Sequence, residues 1–179
     1  MMPLQAMPGS EHARRMAAQN WLLQAAKHRH TARMEWTEQG VAVLTAGLAW
    51  DVVRVPYDVL DPAFDRGTGP AALLRRLDDA QVFGATFCDP YRPLLYVMVA
   101  PGTDRHWNRD LARAGVECLG GTRPYVRLVG VPRVERTEPP GPYWLIPPDN
   151  AAGLRFADAE HLHQVLTACV QRMTALGTP

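Results

Sequence analysis

Serine occurs once in the chain, at Ser10, and lysine once, at Lys27. The lone serine sits where a helix cap is expected, which leaves no candidate for a serine-based triad. Three cysteines, Cys88, Cys118 and Cys169, are odd in number, far apart and without a Cys-x-x-Cys pair. That spacing argues against a disulfide framework or a zinc knuckle and makes them small buried hydrophobes. The glycines of "GTGP" and "LGGT" lack the spacing and the following helix of a Walker or Rossmann phosphate loop. The longest apolar runs, "VAVLTAGLAW" and "PLLYVMVA", fall well short of the roughly 20 residues that span a bilayer. No charged-then-apolar leader opens the chain, so a cytoplasmic protein with no membrane contact is expected.

An excess of either charge is also missing. The net charge is +1, so no global field draws the protein to nucleic acid or acidic lipid, and only a local patch can do so. Of the 19 basic residues all but Lys27 are arginine, a bias that reads as GC-rich coding. What remains is ordinary for a folded protein: 179 residues, 47% hydrophobic and 21% charged. This composition is expected to give a frayed tail over 1–9 and one α+β domain over 10–179.

Ser10 and Glu11 are expected to open a helix running to about Lys27. A second helical stretch carries the chain through Trp36 to a stop at Gly40, and strands are expected at Val41–Leu44 and Ala49–Val55. "DPAFDRGTGP" is a turn, and "AALLRRLDDA" fits a helix with Leu73, Leu74 and Leu77 inward. "VFGATFC" and "PLLYVMVA" read as strands. Asp104 is the expected cap of a helix ending at Gly115. "VECLGG", "PYVRLVGVP" and "PYWLIPP" read as three further strands. Asp158 then caps a last helix with an apolar stripe of Leu162, Val165, Leu166, Cys169 and Met173. The fold class expected from this order is α+β, a mixed or antiparallel sheet flanked by helices.

Candidate metal ligands are sparse. His28 and His30 stand two apart with no nearby Cys or acid at ligand spacing, and His161 and His163 are expected as exposed residues on the polar face of the last helix, so no metal and no cofactor are expected. His106 cannot be placed beside Cys88 or Cys118 from sequence, and Asp51, Glu135 and His106 each lack a second group at a useful spacing. No catalytic residue is assigned. The one residue out of character is Arg54, inside the apolar strand "DVVRVP". Alternation puts Asp51, Val53 and Val55 on one face and Val52, Arg54 and Pro56 on the other, so Arg54 is expected to face away from the main core.

The order of landmarks carries more than any single motif. A helix leading to Trp36 is followed by "GVAVLTAGLAWDVVRVP", "RPLLYVMVAPGT", "AGVECLGGTRPYVRLVGVP" and "PGPYWLIPPD". Over about Trp21 to Pro148 this resembles the N-terminal domain of bifunctional DNA primase/polymerases, in the archaeo-eukaryotic primase superfamily. That family runs from a tryptophan to an apolar strand ending in Asp-x-Asp, an x-H-x-Y-F strand, a glycine-rich strand and Pro-Pro-Ser-x-His. In the family the paired acids hold divalent metal against a nucleotide's phosphates. The resemblance places Arg54 and Pro56 at those two acids, neither of which can ligate a metal. It places Leu94 near the histidine, and Arg133 and Glu135 at the serine and histidine of the last motif. Tyr96, Gly120, Gly121, Pro132, Tyr143 and Trp144 match the structural landmarks.

The resemblance thus implies a primase-like scaffold without its catalytic groups. Its former groove would take nucleic acid, a nucleotide or another anion through Arg54, Arg92, Arg127 and Arg133, with Trp144 or Trp107 as an aromatic platform. Glu135 is the expected partner of Arg54. The alternative is a protein-interaction or regulatory module, or a homodimer, using the same scaffold.

Overall fold

The computed structural model describes residues 8–122 and 125–176. The helices are α1 (Pro8–Leu22), α2 (Arg29–Gln39), α3 (Tyr57–Leu60), α4 (Pro70–Asp79) and α5 (Ala159–Leu176). The strands are β1 (Val41–Thr45), β2 (Asp51–Pro56), β3 (Thr86–Asp89), β4 (Leu94–Val99), β5 (Glu117–Leu119), β6 (Leu128–Pro132) and β7 (Tyr143–Ile146). Short 3-10 turns occupy Leu23–Ala25, Thr103–Arg105 and Arg109–Ala114. The fold is α+β, and every strand pair is antiparallel.

Five strands form the main sheet in the order β5-β2-β4-β3-β7, while β1 and β6 pair separately. Residues opposite one another in a ladder share a face, so the register sorts the side chains. Val52, Met98, Leu119, Phe87 and Trp144 face α1, α2 and the small sheet, packing on Trp21, Leu22, Trp36, Ala42 and Leu44. Val53, Val55, Val97, Leu95 and Cys88 face the other way, onto Leu73 and Leu77 of α4 and Leu162 and Leu166 of α5. The apolar run in β2 therefore reflects burial on both faces. This corrects the expectation for Arg54: its face carries a full core, and Arg54 stands half-buried at the margin of it.

Local chemistry explains most boundaries. Asp158 does cap α5, its Oδ1 accepting from the His161 N–H at 2.9 Å. Leu162, Leu166 and Cys169 of the stripe are buried, with Val165 and Met173 packed against the same core. In α4, Leu73 and Leu77 point inward as expected, but Leu74 is exposed, because one residue is about 100° of helix rotation. Two further expectations change, at α1 and at β3, and one helical turn is added. Helix α1 already includes Pro8, so Ser10 lies inside it, and Met1 to Met7 of the expected tail fall outside the described residues. The chain over "YDVL" is a helical turn packed on α5. Strand β3 begins at Thr86 rather than Val82, because Ala85 N–H donates to Arg155 O at 3.2 Å as the 155–157 segment crosses there. Among the described residues no helix is long and apolar enough to cross a membrane.

Candidate ligand-binding cleft

Strand β2 opens with Asp51, a carboxyl with no solvent exposure at all. After β4 the chain turns back over it, and the Asp104 N–H donates to Asp51 Oδ2 at 2.9 Å. Asp104 in turn accepts at Oδ2 from the Thr122 N–H at 2.7 Å and from the Thr122 hydroxyl. The other oxygen of each carboxyl, Asp51 Oδ1 and Asp104 Oδ1, is buried without a hydrogen-bond partner among the described residues. Burial, with the Asp104 charge adding to it, pushes Asp51 up to about 6. Against its own partial burial, Asp104 is held below the usual carboxylate range by the Thr122 hydroxyl and amide. Gly120 makes room for the pair: a Cβ there would lie 2.7 Å from both Asp104 Cβ and Asp51 Oδ2. Asp104 is thus not the helix cap expected from its position. Asn108 is, its side chain accepting from the Asp110 N–H at 3.2 Å.

Asp104 and Gly120 lie at one side of a cleft of about 390 Å³ along β5, the edge strand of the main sheet. Glu117 and Cys118 of β5 line it, with Trp107 and Arg109 from the segment before β5 and Thr122, Tyr125 and Arg127 from the chain after it. The Arg127 guanidinium lies over the Tyr125 ring, 5.8 Å from its centroid. The Trp107 indole N–H is buried and has no acceptor among the described residues. Burial first, then the neighbouring Asp51 and Asp104 charges, push the Cys118 thiol far up, so it is no nucleophile. The cleft offers two guanidinium groups and two aromatic rings, with the carboxyl groups of Asp104 and Glu117 beside them, to whatever enters it.

The sequence candidates divide between this cleft and other places. Arg127 and Trp107 lie in it. Arg54 does not pair with Glu135, as expected, but with Glu117, its direct cross-strand neighbour, at 3.0 Å. Register alone puts those two side chains within reach. Arg133 and Glu135 line a separate groove of about 320 Å³ against Arg33 and Trp36 of α2. Arg92 is exposed at the β3–β4 turn, 4.0 Å from Asp89. Trp144, one of the two expected platforms, is 1% exposed and belongs to the core. Arg54, Arg92, Arg133 and Glu135 are therefore not brought together with Arg127. Because Arg54 and Glu117 are both more than a third exposed, a double-mutant cycle between them should give a coupling below about 1 kcal/mol. A larger value in urea denaturation would contradict that geometry.

The histidine pairs behave differently from one another. His28 and His30 are exposed. His161 contacts Ala80 O at 2.9 Å, and His163 contacts Asp110 Oδ1 at 3.0 Å, so both are half-buried rather than free on a polar face. Among the described residues no group of three or more His, Cys, Asp and Glu is placed to hold a metal ion. Fold and cleft together define an α+β domain whose antiparallel sheet is covered on both faces and whose open edge carries a mixed basic and aromatic pocket. No family model, curated protein or solved structure matches the chain.

Proposed function

We propose that the chain is a non-catalytic, primase/polymerase-like binding domain whose ligand, single-stranded nucleic acid or a nucleotide, lies in the cleft along β5. The observation that carries this reading is the cleft wall on which Arg109 and Arg127 stand together with Trp107 and Tyr125. Guanidinium groups beside exposed aromatic rings suit phosphates beside bases. The primase-like part rests on the landmark order in the sequence. The non-catalytic part rests on Arg54 and Pro56, which supply no carboxylate where the resembled family keeps its metal.

Anisotropy of a labelled oligothymidylate, measured against salt, tests the binding. Two arginine–phosphate contacts imply a log–log salt slope of about −1.4 for a single strand. Arg127→Glu should weaken binding about tenfold and roughly halve the slope. No binding at low salt, or binding indifferent to Arg127→Glu, would reject the cleft as the site.

A second reading, a protein-interaction module or homodimer, has one observation in its favour. The outer face of the small sheet exposes Val43 and Leu128, at 52% and 64%. Sedimentation of the protein and of Leu128→Lys separates the readings, since only self-association would respond to that substitution.

A further inference from the structure

We propose that Asp51 and Asp104 share one proton and, through Thr122, form a latch that sets the shape of the adjoining cleft according to pH. The inference deepens the binding reading, on whose cleft it rests, but its main test needs no ligand.

Asp51 Oδ1 and Asp104 Oδ1 are both buried, and neither accepts a hydrogen bond from any N–H or O–H among the described residues. The Asp104 N–H on Asp51 Oδ2 holds the two carboxyl groups side by side, and since ionised carboxylates only accept, a proton carried by one of them is what lets these two oxygens satisfy each other. Two carboxyl groups this close, one of them enclosed and neither beside a cation, do not both ionise in the ordinary carboxylate range. Among the described residues no cation lies within ion-pair distance of either.

The other charged and titratable groups around the pair are few. Cys118 faces it from β5, with its thiol held neutral. Arg105, next in the chain to Asp104, is exposed and favours the Asp104 charge from a distance. Arg109 and Arg127 line the cleft, and Arg123 follows Thr122 outside the described residues. A divalent cation is disfavoured as the occupant, because hard cations want six or more oxygens and only two carboxylates converge here.

Three segments meet at the pair: β2 through Asp51, the Thr103–Arg105 turn through Asp104, and the chain leaving β5 through Thr122. When the proton leaves, two like charges face one another in a site that cannot solvate them. Asp51 is enclosed, whereas Asp104 borders the cleft, so Asp104 is the group that can move into water. Thr122 is bonded to it and itself lines the cleft, so the cleft wall moves with it. Burial of Asp51 sets the window. Its folded pKa of about 6 lies above the unfolded value, so the linked stabilisation is complete below about pH 4 and is lost as pH rises through about 6.

The test follows the Thr122 amide and the Trp107 indole N–H by NMR from about pH 4.5 to about pH 8. Both should titrate with a common midpoint near 6. Asp51→Asn places a permanent donor against Asp104 and should hold both signals at their low-pH positions throughout. If that variant does not fold, Asp104→Asn serves instead: it removes the like charge and should bring the Thr122 midpoint down out of the window. A midpoint that survives either substitution, a Thr122 amide that titrates only near 4, or a midpoint displaced downward by manganese would overturn the shared proton. A Trp107 signal that ignores the Thr122 transition would overturn the coupling to the cleft. Oligothymidylate keeps its phosphodiester charge across the range, so its affinity for wild type should differ at least about threefold between the two ends and be constant for Asp51→Asn. Equal affinity at both ends would overturn the regulation. Absence of binding at either end, with the NMR transition intact, would reject the binding reading and support the latch.

Discussion

Replacing Trp144 by alanine should lower the free energy of unfolding by about 3 to 5 kcal/mol, a large part of the roughly 5 to 15 kcal/mol typical of a domain. The ring is almost wholly buried and meets Phe87 edge-on, with centroids 5.1 Å apart. Its Nε1 donates to Pro132 O at 3.1 Å. From α2, Trp36 Nε1 donates to the neighbouring carbonyl of Val131 at 3.0 Å. Two indoles on different elements thus hold consecutive carbonyls of β6, and Trp144 is the one that ties the small sheet to the large one. Trp144→Phe keeps most of the ring contacts but strands a buried carbonyl, which should cost about 1 to 3 kcal/mol. Urea denaturation of both variants checks the order. If Trp144 were instead an aromatic platform for a ligand, alanine there would remove binding and leave the unfolding midpoint nearly unchanged.

That contrast shows where sequence pattern reaches its limit. Tyr143 and Trp144 in "PYWLIPP" are recognisable as strand residues, and neighbours in a strand point to opposite faces. Alternation cannot say which face is open when both are covered, and here helices cover both. The same ambiguity affected Arg54. Its position on the face opposite Asp51 was legible from the two-residue period, but its partner Glu117 lies 63 residues away and is selected by the β2–β5 register. Short-range chemistry fared better: Gly40 ends α2, Asp158 caps α5, and Leu73 and Leu77 turn inward.

The acid pair was only half legible. Asp51 stands inside "LAWDVV", and an acid in an apolar run signals a buried carboxyl in need of a partner. The partner, Asp104, is 53 residues further on and resembles an ordinary cap, because a cap and this latch use the same chemistry, a carboxylate accepting a backbone N–H. Spacing rules search within a turn or two of helix and so cannot find such a pair. The doubled glycine of "LGGT" was a usable signal: with no phosphate loop to serve, it points to a close approach of two chain segments.

The second of those glycines makes the approach testable through its neighbour across the gap. Gly47 holds φ at +94°, and a Cβ on it would overlap the backbone N and Cα of Gly121 and lie 2.8 Å from Gly120 C. Backbone cannot swing aside as a side chain can, so alanine at this position must push the two loops apart. Overpacking of that kind costs about 1 to 3 kcal/mol, and the left-handed backbone adds about 1 to 2 kcal/mol for a residue with a Cβ. Gly47→Ala should therefore destabilise the protein by about 2 to 5 kcal/mol. Gly102 supplies the control. Its φ is +88°, nearly the same, yet nothing lies within 4 Å of the added Cβ. Gly102→Ala should accordingly cost only the conformational part. Urea denaturation of the two variants separates the terms, since their difference reports the contact between the Gly47 and Gly121 loops. Equal losses would mean that the loops do not touch in solution, and that Thr122 is held in place by its bonds to Asp104 rather than by the glycine contact.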